Sequence, residues 1–168
     1  MMASLERINE RNVWVYKAIR LRALQDSPTA FGSTYAREVQ FPEAEWLRRA
    51  ANMSGERGVG FLAMEKGAAC GIVGALVDED EADKAQVVSM WVAPESRRSG
   101  VGSDLIEAVR GWSRSRRVRT LILRVTSCNQ GAIEFYARCG FTMTRNTEPY
   151  PNDSSLVEYE MTQLLASE

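Results

Sequence analysis

Histidine is absent from the 168 residues of this chain. Its absence excludes the Ser-His-Asp and Cys-His arrangements, in which an imidazole takes the nucleophile's proton, and the usual catalytic zinc sites that contain histidine. No metal site is expected. Cysteine is scarce: the three residues Cys70, Cys128 and Cys139 form no C-x-x-C pair, and an odd number argues against a disulfide framework. Without an imidazole to activate them, they read as reduced packing residues. Neither sign of charge is in excess, with 21 basic and 22 acidic residues, so no global field draws the chain to nucleic acid or to an anionic membrane. Any anion site must be local. No run approaches the ~18 apolar residues of a membrane span, and the opening residues lack the apolar core of a secretory signal. The expected location is the cytoplasm. Internal repeats and low-complexity tracts are also missing. Chemistry therefore falls to carboxylates, tyrosine, backbone donors or a cofactor.

What is present is an ordinary globular composition, 45% hydrophobic and 26% charged, in a length that suits one domain over residues 1–168. The first third reads as helical, with Val15 and Ile19 at helical spacing up to a break at Ser27-Pro28. A second helical stretch follows near Ala30 to Thr34 and a third near Pro42, carrying Trp46, Leu47 and Ala50. Gly60 to Met64 and Cys70 to Val77 flank Glu65-Lys66-Gly67 as a hairpin. The acidic stretch from Asp78 to Asp83 lacks the glycine and spacing of a calcium loop and reads as solvated. Gln86 to Val92 is a further strand. Leu105, Ile106, Val109 and Trp112 recur at helical spacing, and Thr120 to Val125 is rich in β-formers. A helix from Ala132 to Cys139 is stopped by Gly140, and two last strands lie at Phe141 to Met143 and Leu156 to Met161. Helices inserted among strands predict an α/β or α+β fold with a mixed sheet.

One loop stands out. Between the strand ending at Val92 and the helix from Gly102 lie Arg97, Arg98, Ser99, Gly100, Val101 and Gly102. Alternate glycines remove Cβ atoms and permit positive φ, so successive N–H groups can turn toward one anion at a helix N-terminus. Arg97 and Arg98 would add charge-assisted contacts to phosphate oxygens. The spacing fits neither a Walker A loop nor a dinucleotide fingerprint, whose third glycine would stand where Leu105 does. Taken alone, the loop is either a pyrophosphate site or a glycine turn with solvated arginines.

The pattern Arg97-x-x-Gly100-x-Gly102 resembles the [Arg/Gln]-x-x-Gly-x-[Gly/Ala] motif of the GNAT superfamily of acyl-CoA-dependent N-acetyltransferases. Asn129-x-x-Ala132-x-x-Phe135-Tyr136-x-x-x-Gly140-Phe141 is similar to that family's second signature. The two occur in the family's order, and the resemblance covers about Gly60 to Met161. It implies a mixed, mostly antiparallel sheet of six to seven strands flanked by about four helices, with a splayed pair of parallel central strands. It implies acetyl-CoA as acyl donor, with the pantetheine arm paired to free backbone groups at Met90 and Val92 and a backbone N–H near Trp91 or Val92 polarising the thioester carbonyl. The phosphates would fall on Arg97 to Gly102 and Ser103, and Asn129 and Phe135 would border the arm.

By motif position, Tyr136 would protonate the departing thiolate, or else be one more residue of a packed helix face. Asn129 would touch the arm or cap its helix. The family's frequent glutamate on the strand before the loop has no counterpart in Gln86 to Val92. Glu38 and Glu148 are candidate bases by location, each alternatively a solvated surface charge. Phe31, Tyr35, Trp46 and Tyr150 would flank the acceptor channel or else pack in the core. The implied partner is a small-molecule amine, with a peptide α-amine or a non-catalytic CoA-binding role as alternatives. The sequence admits a homodimer without deciding it.

Overall fold

The computed structural model describes residues 3–166, so the ends of the expected 1–168 domain lie outside the described residues. A seven-stranded sheet has the order β1-β2-β3-β4-β5-β7-β6, built from β1 (Ser4–Arg7), β2 (Gly58–Glu65), β3 (Ala68–Val77), β4 (Lys84–Val92), β5 (Thr120–Thr126), β6 (Thr142–Tyr150) and β7 (Asp153–Leu164). Among the described residues five α-helices accompany it: α1 (Val13–Asp26), α2 (Tyr35–Glu38), α3 (Glu43–Asn52), α4 (Val101–Ser115) and α5 (Gln130–Arg138). The mixed α/β sheet is the expected one.

Two expectations needed correction. The first element among the described residues is a strand, β1, rather than a helix; the sequence does not announce it because all four of its residues are exposed at the sheet edge and carry no apolar alternation. The last hairpin is longer than expected, since β6 runs on through Glu148 and Pro149 to Tyr150. Thr147, Glu148 and Pro149 are all exposed on this edge strand before Tyr150 turns inward, so the period-2 signal is missing there.

The sheet buries both faces. Helix α4 and the Tyr136 side of α5 cover one, with Leu105, Ile106 and Val109 against Leu121 and Leu123. Helices α1 and α3 cover the other, with Tyr16, Leu24 and Trp46 against Leu62 and Ile72. The second layer also encloses charge. Glu38 is fully buried and accepts from Arg20 Nε at 3.0 Å, Arg20 Nη2 at 2.9 Å and Arg49 Nη1 at 3.1 Å. Burial pushes the Glu38 carboxyl up, but bonding and charge from Arg20, joined by Arg49, reverse the effect and hold it below its ordinary value. Among the described residues no helix is long and apolar enough to cross a membrane.

The regularity of the sheet breaks in the middle of β4. It pairs with β5 in parallel over only Lys84–Gln86 against Thr120–Ile122. On its other edge, two steps of β3 from Ile72 to Gly74 oppose three steps of β4 from Trp91 to Val88, so β4 carries one extra residue. The bulge centres on Ser89, whose φ of 59° is left-handed. Its consequence is a change of facing: Val87 and Val92 pack on the α4 side, while Trp91 packs on the α1 side. Past Gln86 the β5-facing edge of β4 has no strand partner, and a cleft opens there.

Candidate active site

The cleft beside the unpaired end of β4, between the start of α4 and α5, encloses about 770 Å³. Its floor is β4 at Met90, Trp91 and Val92; one wall is the loop and first turn of α4 at Arg97, Arg98, Gly100, Gly102 and Ser103; the other is α5 with Asn129, Phe135 and Tyr136. Eleven of the thirteen residues expected at the cofactor and reaction site thus border one space. Ser99 and Val101 do not. Ser99 donates its hydroxyl to the Ser96 carbonyl, and Val101 is buried in the core beneath the loop.

The two glycines of the loop act differently. Gly100 stands just before α4 at φ 90°, with nothing near the position a Cβ would take. Its role is conformational: it and Arg98, at φ 62°, turn the backbone into the helix. Gly102 is needed for space, since a Cβ there would lie 2.9 Å from Phe135 Cζ. The anticipated alternation of flexible glycines is therefore one hinge and one contact. Through that contact α5 approaches α4 and narrows the cleft.

Arg97 departs from its expected role. Its Nε donates to the Val92 carbonyl at 2.9 Å and its Nη2 to Asp26 Oδ2 at 2.9 Å. The side chain turns back along β4 because a carboxylate from the end of α1 lies beside it, and it thereby occupies one of the carbonyls expected to meet the pantetheine arm. Asp26 also accepts from Trp91 Nε1 at 3.0 Å and from Ser27 at 2.8 Å. The Ser27 hydrogen bond, with those from Trp91 and Arg97, holds the Asp26 carboxyl below its ordinary value against a small opposing effect of burial. Arg98 is exposed and borders the cleft, as does Arg138 at the end of α5. Sequence reasoning missed Arg138, Ser27 and Ala30, since only the docking of α5 and of the loop after α1 brings them to the cleft.

Asn129 Oδ1 accepts from the Ala132 N–H at 3.2 Å, so the residue caps α5 as well as bordering the cleft. Tyr136 is 8% exposed and packs edgewise on Phe141 with ring centroids 5.9 Å apart. Burial, and then the neighbouring Cys139, push its hydroxyl well above the ordinary tyrosine range. It is protonated at any physiological pH.

The candidate bases separate. Glu38 is locked between two arginines inside the second core and is no surface charge. Glu148 is exposed on β6, 3.3 Å from Arg124 and opposite Glu158. Of the aromatics expected at an acceptor channel, Phe31, Trp46 and Tyr150 are buried. Tyr150 reaches the Phe31 carbonyl at 2.5 Å and Thr126 donates to the Thr29 carbonyl at 2.6 Å, so the loop after α1 is fastened to β5 and to the final hairpin. Among the described residues no cluster of potential metal ligands occurs.

A model of the GNAT acetyltransferase family matches residues 21–141. A streptothricin acetyltransferase of Escherichia coli is 31% identical over 80 residues, or 42% of this chain and 46% of that protein, so the match takes in less than half the relative's length. The crystal structure of a nourseothricin acetyltransferase is 27% identical over 66% of each chain, with a TM-score of 0.61. The fold extends further: yncA of Salmonella typhimurium, solved with its cofactor acetyl-CoA, superposes over 100% of this chain and 96% of its own at a TM-score of 0.81 and 14% identity.

Proposed function

Because this chain belongs to the GNAT family of acetyltransferases, we propose that it transfers an acetyl group from acetyl-CoA directly to a primary amine of a small molecule. The observation that carries this reading is the cleft itself: a bulged β4 parted from β5, a glycine loop at its mouth and a protonated tyrosine inside. These residues fit the cofactor. The unpaired edge of β4 offers backbone groups to an extended amide-bearing arm, and Arg98 with the N-terminus of α4 offers positive charge to its phosphates. Acetyl-CoA would supply an activated thioester, so no nucleophile is required of a chain that lacks histidine.

The chain's own groups then have three tasks. A backbone N–H near Trp91 or Val92 would donate to the acyl oxygen as charge gathers there. Tyr136 would donate its hydroxyl hydrogen to the departing sulfur. A thiol of pKa ~8.5 is a stronger acid than this phenol, so Tyr136 first stabilises the thiolate by hydrogen bonding and completes proton transfer only as new acid reaches the site. The amine must arrive unprotonated or lose its proton to water, since β4 has no carboxylate and Glu38 is held ionised by its arginines. Acceptors would enter past Ser27 and Ala30. A small-molecule acceptor is favoured by the two relatives named for streptothricin and nourseothricin.

The test is a panel of polyamines, amino acids, aminoglycosides and N-terminal peptides mixed with acetyl-CoA, scored by CoA released. Release with one class of small amine is expected. Release with peptides alone would reassign the acceptor, and tight CoA binding without release from any amine would make the chain a binding module.

A further inference from the structure

Three arginines border the cleft, and the structure distinguishes them. Arg97 is committed to Asp26 and to the Val92 carbonyl, so its charge is already balanced. Arg98 stands in the turn before α4, on the wall that presents the helix N-terminus. Arg138 stands on the facing wall, in the last turn of α5, exposed and with no hydrogen-bond or ion-pair partner among the described residues. The acid one helical turn before it, Glu134, accepts instead from Gln130 at 3.5 Å.

The position of Arg138 is fixed on both sides. Phe135, one turn earlier, lies against Gly102, and the next residue, Cys139, has its thiol beside Ser103 in the first turn of α4. An exposed guanidinium is thus held beside the phosphate loop but outside it, at the outer end of the α5 wall. The pyrophosphate has the loop's backbone and Arg98. CoA carries one further dianion, the 3′-phosphate of its ribose, and a planar guanidinium at the rim is suited to bind it in bidentate fashion. We propose that Arg138 is the 3′-phosphate anchor and makes this cleft discriminate CoA from dephospho-CoA. The proposal rests on the CoA reading above.

Binding of acetyl-CoA and acetyl-dephospho-CoA is measured by titration calorimetry for the unaltered protein and for Arg138→Ala, Arg98→Ala and Arg145→Ala, the last being an exposed arginine on β6. The unaltered protein should prefer acetyl-CoA by roughly tenfold, the scale of one solvent-accessible charge-assisted contact. Arg138→Ala should abolish most of that ratio while binding acetyl-dephospho-CoA normally. Arg98→Ala should weaken both ligands alike, and Arg145→Ala should change neither. A ratio unchanged in Arg138→Ala, or equal weakening of both ligands by it, would overturn the assignment while leaving the CoA reading intact. Failure of the unaltered protein to bind either ligand would instead remove the CoA reading, and this inference with it.

Discussion

Asp26 at the end of α1 and Arg97 after β4 meet at 2.9 Å, across 71 residues of sequence. The contact joins the helical layer on one face of the sheet to the mouth of the cleft, and Trp91 from the cleft floor donates to the same carboxylate oxygen at 3.0 Å. The arginine of the phosphate motif is therefore a brace for the loop. On the proposed function, phosphate charge would then fall to the loop backbone and to Arg98.

Asp26→Asn should loosen this brace. The pair is partly exposed, so the stability cost should be at most about 1 kcal/mol, whereas the dissociation constant for acetyl-CoA should rise severalfold as the loop loses its tether. Urea melts and calorimetric titration separate the two effects, and unaltered affinity would show that the tether does not shape the cleft. The folded-state pKa of Asp26 lies below its unfolded value, so its stabilisation is complete above about pH 4 and is lost as pH falls through the lower folded value. In the Asp26→Asn variant that part of the acid sensitivity should be gone.

Glu38→Gln should damage the fold itself. The substitution leaves Arg20 and Arg49 facing a neutral amide inside the second core, and breaking a buried ion pair from one side costs about 3–5 kcal/mol. A large drop in the urea midpoint is expected. Glu45→Gln, at the exposed side of α3 against Arg48 and Arg49, should shift the midpoint far less. Equal effects would mean that Glu38 is not the electrostatic centre of the helical layer.

Gly100 and Gly102 should fail differently when changed to alanine. At Gly100 the added methyl meets nothing, but the left-handed φ of 90° costs an alanine about 1 kcal/mol, which should appear as lost stability. At Gly102 the methyl meets the Phe135 ring, so α5 must move outward and acetyl-CoA affinity should fall before stability does. Paired melts and titrations of both variants read the difference.

Tyr136→Phe should lower turnover about 10–100-fold at saturating substrates, toward the low end of general acid effects because a thiolate leaves readily. No partner holds the hydroxyl among the described residues, so the melting temperature should hardly change. Full turnover by the phenylalanine variant would reduce Tyr136 to a packing residue.

Much of the sheet was legible because β2 to β5 and α4 carry periodic apolar patterns in nearly every position that faces the core. The edge elements were not. Ser4 to Arg7 and Thr147 to Pro149 pair through their backbones with largely exposed side chains, and backbone hydrogen bonding leaves no mark on side-chain period. The glycine loop and the α5 signature were legible as motifs, since glycine spacing and the Asn-Ala-Phe-Tyr pattern are local.

The roles of individual charges were another matter. Nothing near Glu38 in sequence distinguishes it from an exposed helix acid; it is buried because α2 is trapped between α1 and α3, where Arg20 and Arg49 converge on it. Arg97 and Arg98 are adjacent and alike in chemistry, yet one is braced by Asp26 and the other borders the cleft, because backbone dihedrals of opposite hand send them apart. The sequence by itself determined the sheet's central strands, the glycine hinge and the absence of histidine-based chemistry, all set by local sterics, residue period or composition. Tertiary structure alone decided which carboxylates are buried, which arginines remain free and how far β4 parts from β5. Those outcomes depend on long-range packing and on partners that are distant in the chain.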